Sequence, residues 1–140
     1  MALLDTSDPE HAHADERLRS EIIAWLTTIS ADGQPQSTPV WFLWDGESFL
    51  VYSRPDKPKI RNIAVNPRVS LHLQSTDEGE EVVTVEGTAE IARDVPPADQ
   101  VPEYVDKYRG AIAGLGMTPA SFARDYSEPL RIRASRIRTF

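Results

Sequence analysis

The sequence predicts a mainly β protein, a small antiparallel barrel with few and short helices. About six segments of strand length, apolar or alternating, follow one another at regular spacing with turn signals between them. Two of the turns contain Asp-Gly pairs, Asp32-Gly33 and Asp45-Gly46, which tight β-hairpins favour. The helical patterns are few and short. Together these features are typical of a small β-barrel.

The chain opens with a helical segment. Its first 21 residues include six acidic and two basic ones, and Ser7-Asp8-Pro9 supplies a cap and a first-turn proline. We therefore expect a short surface helix over residues 9–20. β-rich sequence starts at Ile22, and Asp32-Gly33 ends the first strand.

The run Val40-Trp41-Phe42-Leu43-Trp44 is apolar at every position. Because it does not alternate, we expect both faces of this strand to be covered, one by the core and the other by a partner subunit or a ligand. A second strand, Phe49-Leu50-Val51-Tyr52, pairs with it across the Asp45-Gly46 turn. One small barrel cannot cover both faces of such a strand, so the run also predicts an obligate dimer.

A short helix and two half-buried strands come next. Apolar residues at helical spacing, stopped by Asn66-Pro67, predict a helix over about residues 58–65. Apolar and polar residues then alternate over residues 69–73 and again over residues 83–91. The acidic stretch at residues 77–81 is predicted to form their exposed hairpin loop.

The C-terminal part combines two helices with a final strand. Apolar residues at i, i+3, i+4 and i+7 from Val101 predict an amphipathic helix that ends near Gly110. Thr118-Pro119 starts a second short helix. Residues 130–134 alternate as a last strand, and the apolar residues then change face, which predicts a bulge near Ser135-Arg136.

Composition excludes several classes of function. With 22 acidic against 15 basic residues, the net charge is -7, so neither nucleic acid nor a membrane is an expected partner. The absence of cysteine excludes disulfides, thiolate catalysis and zinc–thiolate sites. No apolar run approaches the roughly 20 residues that span a bilayer, and the N-terminus lacks the order of a signal peptide. We expect a cytoplasmic protein.

The charge pattern has one anomaly. Against the single acid Asp56, residues 51–70 carry five basic residues, a local charge of +4: Arg54, Lys57, Lys59, Arg61 and Arg68. Ser53 ends a strand, and the basic turn that follows runs into a helix N-terminus. A hydroxyl, backbone N–H groups, the helix dipole and lysine charge therefore meet at one spot, which is typical of a phosphate site. A solvated basic helix face is the alternative interpretation.

Four stretches give the sequence a family resemblance: residues 25–28, 32–42, 53–63 and 66–71. They resemble the pyridoxamine-5′-phosphate-oxidase-like split-barrel family, and within it the deazaflavin (coenzyme F420)-dependent oxidoreductases, a branch that also holds biliverdin-reductase-type members. The most specific piece is Ser-x-x-x-x-x-Lys-x-x-Asn-Ile-x-x-Asn-Pro, which runs from Ser53 to Pro67. The resemblance covers residues 22–95 well, and beyond them only the last strand.

The resemblance implies a homodimer of split β-barrels with two cofactor sites in the subunit interface. Residues 1–140 would form a single split-barrel domain, with residues 1–21 as an N-terminal helical extension and residues 96–126 as a helical insertion before the last strand. In the family the segment after Ser53 holds the cofactor phosphate, with Lys59 at its centre, and the second strand borders the tricyclic ring. The expected cofactor-binding residues are Ser53, Arg54, Lys57, Lys59, Arg61 and Asn62 at the phosphate, and Pro39, Val40, Trp41 and Thr28 beside the ring.

The C-terminus departs from part of that family. Vitamin-B6-oxidising members carry an arginine and histidine set there for their substrate, but no histidine follows His72 in this sequence. Pyridoxal phosphate synthesis is therefore not expected. Four arginines do crowd the last strand, where a solvated strand face explains them equally well: Arg131, Arg133, Arg136 and Arg138.

The leading hypothesis is an F420-dependent oxidoreductase that transfers a hydride from reduced deazaflavin to a conjugated small-molecule substrate. The deazaflavin carries the hydride itself, so neither a catalytic residue nor a metal is expected. The carboxylates of the F420 tail favour F420 over FMN at a turn this basic, and an FMN-dependent oxidase or reductase is the alternative. A non-catalytic barrel that binds a cofactor or haem is a further class. A barrel for single-stranded nucleic acid is disfavoured, because basic residues do not interleave with surface aromatics.

Overall fold

Seven strands form one curled antiparallel sheet in the computed structural model, which describes residues 3–140. None of the helices within these residues is long and apolar enough to cross a membrane. In chain order the elements are α1 (Pro9–Ser20), β1 (Ala24–Ile29), β2 (Pro35–Val40), β3 (Leu43–Trp44), β4 (Ser48–Ser53), α2 (Pro58–Val65), β5 (Arg68–His72), β6 (Val83–Ile91), a 3₁₀ turn (Ala98–Gln100), α3 (Pro102–Gly114), α4 (Pro119–Asp125) and β7 (Glu128–Thr139).

The strand order is β2-β1-β5-β6-β7-β4-β3, so the two edge strands are consecutive in the chain. Only Trp41 and Phe42 separate the end of β2 from the start of β3. A link of two residues cannot span a flat seven-stranded sheet, because neighbouring strands lie about 4.8 Å apart. The sheet must curl until its two edges meet at this link, which is called the split below. The predicted fold class, a mainly β split barrel with few short helices, is confirmed.

The prediction of a continuous strand over Val40–Trp44 is wrong. β2 ends at Val40 and β3 begins at Leu43, which explains why the sheet has seven strands. Val40, Phe42 and Trp44 are buried in the barrel, while Trp41 and Leu43 pack half-buried against residues of α3 and α4. The second face is thus covered by the chain's own helices. No partner subunit is needed to cover this face.

Two side chains of α3 satisfy the backbone at the split. The hydroxyl of Tyr108 accepts the Phe42 N–H at 2.7 Å and lies 2.9 Å from the carbonyl oxygens of Ile22 and Phe42. The Nζ of Lys107 donates to the Phe42 carbonyl at 2.8 Å and lies 3.9 Å from the Phe42 ring centroid. Burial lowers the pKa of Lys107 to about 8, against the opposing charge of Glu21. Phe42 therefore has no sheet partner and yet leaves neither backbone group unpaired.

Several local predictions are confirmed by the structure. Gly33 and Gly46 have positive φ values of 88° and 101°, as the two hairpin turns require. Helix α2 spans the expected residues 58–65. The pairing of β6 with β7 shifts register so that Gly87 faces Ala134 while Glu86 faces Arg136, which leaves Ser135 as the expected bulge.

Two buried clusters hold the molecule together. One fills the barrel, and α1 contributes Ala14 and Leu18 to it, so this helix is more than a surface element. The other lies outside the barrel under α3 and α4. Helix α3 runs to Gly114, four residues beyond the expected end at Gly110, because Ile112 follows Tyr108 at i+4 and extends the buried stripe.

Three of the four arginines of β7 form ion pairs with carboxylates on β6 or just after it. Arg131 lies within 3.4 Å of carboxylates on Glu90 and Asp94, and Arg138 lies 3.2 Å from Glu86. Arg133 is 3.5 Å from Glu90. These contacts lie on the exposed side of the β6–β7 ladder. Of the two interpretations of the arginine row, the structure therefore favours the solvated strand face.

We expect Tyr108→Phe to lower the free energy of unfolding by about 1–3 kcal/mol, because it leaves the buried Phe42 N–H without a partner. Tyr104→Phe is the matched control. Both tyrosines belong to α3 and are 0% exposed, but the Tyr104 hydroxyl finds no hydrogen-bond partner in residues 3–140. Its removal should leave stability unchanged or increase it. Urea unfolding measures both variants, and equal losses would contradict this account.

Candidate functional site

A cavity of about 470 Å³ opens beside the split, where the ends of β2 and β4 approach the helical insertion. Strand β2 brings its last three residues, β4 its last two, and the turn before α2 its basic side chains. The insertion closes the opposite side. The lining residues are Thr38, Pro39, Val40, Trp41, Tyr52, Ser53, Arg54, Lys57, Lys59, Leu115, Phe122 and Tyr126.

Seven of the ten residues expected at the cofactor line this cavity: Pro39, Val40, Trp41, Ser53, Arg54, Lys57 and Lys59. The structure places the other three elsewhere. Arg61 is exposed on α2. The buried Asn62 donates through Nδ2 to Thr28 Oγ1 and to Gln36 Oε1, both at 2.9 Å. Asn62 and Thr28 therefore fasten α2 to the first hairpin and in this way hold the helix that carries Lys59.

One rim of the cavity is basic. Lys59 is half-buried in the first turn of α2, and Lys57 precedes that helix as its N-cap. Burial, followed by the charge of Lys57, lowers the pKa of Lys59. Within residues 3–140, neither lysine nor Arg54 forms a salt bridge with a carboxylate. An anion bound at this rim would relieve the repulsion between the cations.

The other side of the cavity is an aromatic stack. The Trp41 ring lies 4.8 Å from Tyr108 at an interplanar angle of 3° and 5.3 Å from Phe122 at 13°. Phe122 stacks in turn on Tyr126, at 4.3 Å and 12°. The guanidinium carbon of Arg54 lies 4.8 Å from the Tyr126 ring centroid. We call these four rings the aromatic stack. It connects the split to the basic rim.

Tyr52 and Ser53 form the floor at the end of β4. The Tyr52 hydroxyl donates to the Pro96 carbonyl at 2.6 Å, and burial, followed by the charge of Asp99, raises its pKa to about 12. The Ser53 hydroxyl donates to the Arg54 carbonyl at 2.9 Å. Both hydroxyl protons are thus engaged within the protein. Tyr52 therefore stays protonated near neutral pH.

Sequence reasoning missed five of the lining residues: Thr38, Tyr52, Leu115, Phe122 and Tyr126. Tyr52 and Thr38 adjoin expected residues, so proximity could have found them. The i, i+4 spacing of Phe122 and Tyr126 signals that they share a helix face. No pattern in the sequence says that this face meets Trp41, because the contact is tertiary and spans about eighty residues.

The arrangement can bind a planar ring and an anion together. The stack offers aromatic surface to a ring, and the basic rim offers three cations to a phosphate or carboxylate. The part of the chain that the structure describes holds no group of three or more His, Asp or Glu side chains able to bind a metal ion. Within residues 3–140, no histidine or carboxylate lines the cavity.

The model of the pyridoxamine 5′-phosphate oxidase family matches residues 11–140. The chain belongs to this family, as the sequence resemblance predicts. A solved F420 reductase is 26% identical with a TM-score of 0.67, over 89% of this chain and 94% of its own. A conserved hypothetical protein from Mycobacterium tuberculosis is 27% identical with a TM-score of 0.72, over 92% of this chain and 82% of its own.

The fold also occurs in a haem storage protein from Vibrio cholerae, which is 17% identical with a TM-score of 0.66, over 99% of this chain and 95% of its own. At that identity the likeness concerns the fold alone. The family takes its name from an oxidase, and one of these relatives is a reductase. Oxidoreductases therefore occur among the proteins that this chain is similar to.

Proposed function

We propose that the protein is an F420-dependent oxidoreductase that transfers a hydride from reduced deazaflavin to a conjugated small-molecule substrate. The observation that carries the proposal is the unpaired basic rim next to an aromatic stack in one cavity. A ring that bears a phosphate fits both parts at once. The similarity to an F420 reductase over 89% of the chain supports the same conclusion.

The residues present suit such a cofactor at both ends. Lys57, Lys59 and Arg54 would hold the phosphate, because none of them forms a salt bridge with a carboxylate within residues 3–140. The backbone of Pro39 and Val40 and the ring of Trp41 would border the deazaflavin. A phosphate monoester carries at most two negative charges, so a third cation would suit the additional carboxylates of the F420 tail. This charge favours F420 over FMN.

The deazaflavin, when bound, supplies the hydride, and the chain binds, orients and excludes water. The aromatic stack fixes the orientation of Trp41, since its ring stacks on both Tyr108 and Phe122. Tyr52 keeps its proton near neutral pH because its pKa is about 12. The substrate would lie against the apolar side of the cavity, at Leu115 and Phe122.

Two other ligands remain to be compared with F420. FMN has the ring and the phosphate but not the acidic tail. Haem needs an axial ligand, and the lining residues within 3–140 include no histidine, cysteine or methionine, while the two lining tyrosines already contact Pro96 and Arg54. Haem storage is therefore the weaker alternative, and an FMN-dependent oxidase or reductase is the stronger one.

A homodimer is part of the proposal. All residues of β2 from Pro35 to Pro39 are exposed, although the strand borders the cavity. A second copy packed on β2 would cover them and complete the cavity wall. Pro35 and Pro39 lack N–H groups, so the contact would use side chains rather than an extended sheet. Sedimentation should find a dimer at micromolar concentration, and a stable monomer would remove this part.

Equilibrium titration of the purified protein with F420, FMN and haem tests the function. We expect F420 to bind most tightly, with an affinity that falls as salt rises, because several charges engage an extended anion. FMN should bind more weakly and with a smaller salt dependence. Tighter binding of FMN would favour the FMN-dependent alternative, and tightest binding of haem would favour storage.

Lys59→Glu should lower cofactor affinity at least about tenfold, because it replaces a charge-assisted hydrogen bond with repulsion. The melting temperature should change little. An acid in the first turn of α2 is favoured by about 0.3–1 kcal/mol through the helix dipole. Arg68→Glu makes the same charge change at an exposed position outside the cavity. It should retain binding, and equal losses from both variants would mean that only net charge matters.

A further inference from the structure

The geometry points to Tyr126 as the positioning residue of Arg54: its ring holds the guanidinium at the cavity so that the phosphate group of the ligand meets a preset partner. This inference rests on the proposed function. It extends that function, because a residue of the helical insertion would then help the protein to select the phosphorylated form of the ligand over the unphosphorylated form. Tyr126 itself need not touch the ligand.

Arg54 differs from the other cations at the rim. Its guanidinium carbon lies 4.8 Å from the Tyr126 ring centroid, and hydrogen bonding with the Tyr126 side chain raises its pKa. Lys57 and Lys59 have no comparable side-chain partner in residues 3–140. Arg54 is therefore the cation at this rim whose side chain is placed by another element of the fold.

Tyr126 is itself held firmly. Its N–H donates to the Phe122 carbonyl at 2.8 Å at the end of α4. Thr118 and Ser121 close the other end of that helix with a reciprocal capping box. The Tyr126 ring then continues the aromatic stack, whose far end is Tyr108 at the split. Arg54 thus rests on the last member of a stack that is fixed at both ends.

Stacking leaves the guanidinium suited to an anion. The Arg54 guanidinium lies over the Tyr126 ring and, even with one N–H group directed to that side chain, has further N–H groups that can bind the oxygens of a phosphate. A flexible arginine loses side-chain freedom when it binds. Since Tyr126 restricts Arg54 before the ligand arrives, less freedom is lost on binding. The benefit appears only with ligands that carry the anion.

The test compares each phosphorylated ligand with its uncharged fragment: FMN with riboflavin, and F420 with its deazaflavin-ribityl fragment. The affinity for the phosphorylated ligand divided by that for its fragment measures how much the phosphate end contributes to binding. We expect Tyr126→Leu to lower this ratio about two- to fivefold, the worth of one cation–π contact. Arg54→Met should lower it about tenfold or more. Tyr126→Phe keeps the ring and should retain most of the ratio.

A merely structural role of Tyr126 would change both affinities equally and leave the ratio intact, which would overturn the inference. In the double variant Arg54→Met/Tyr126→Leu, the ratio should equal that of Arg54→Met alone, because Tyr126 acts through Arg54. Arg124→Met removes an exposed charge of α4 outside the cavity and controls for net charge. A wild-type ratio near one, or no binding of either pair, would refute the proposed function, and the inference with it.

Discussion

Closure of the split at Phe42 is the constraint on which the rest of the structure depends. An open sheet normally leaves its edges to water, but here both edges meet at the link of Trp41 and Phe42, which belongs to no strand. Tyr108 and Lys107 supply the missing partners from α3. A buried N–H or carbonyl without a partner costs about 1–3 kcal/mol, so these side chains make the break in the barrel tolerable.

The same contacts determine the candidate site. The Tyr108 hydroxyl accepts a hydrogen bond from the Phe42 N–H, and the Tyr108 ring stacks on Trp41. One residue therefore fixes both residues of the split. Trp41 then orders Phe122 and Tyr126, and Tyr126 meets Arg54 at the basic rim. The helical insertion therefore forms one wall of the cavity, and the turn that leads into α2 supplies its basic side chains. A change at the split should reach the rim along this path.

Local chemistry explains which parts of the fold were predictable. Asp-Gly turns, the proline-bounded α2 and the phase change at Ser135 each depend on neighbouring residues, and the structure contains all three. The basic rim could be predicted from the sequence because its charges lie within six consecutive residues, from Arg54 to Lys59. The family resemblance also placed β2 beside the cavity.

Tertiary contacts explain what was not predictable. The break between Val40 and Leu43 is stable only because Lys107 and Tyr108 reach it from 65 and 66 residues away. An apolar run alone gives no sign of such partners and resembles a continuous buried strand. Asn62 matched the motif, yet its amide is used inside the fold, since it bonds to Thr28 and Gln36. A motif fixes residue identity and not the direction of a side chain.

Amide hydrogen exchange at Phe42 tests the central claim most directly. Phe42 lies in no strand, so an unsupported link would exchange as fast as the amides of Asp77 and Glu78 in the exposed turn between β5 and β6. Because the Phe42 N–H donates to the buried Tyr108 hydroxyl, we expect it to be protected nearly as well as the amides inside β1 and β5. Those amides exchange only when the barrel opens. Protection at the strand level supports closure by α3. Exchange at the rate of the turn would contradict it.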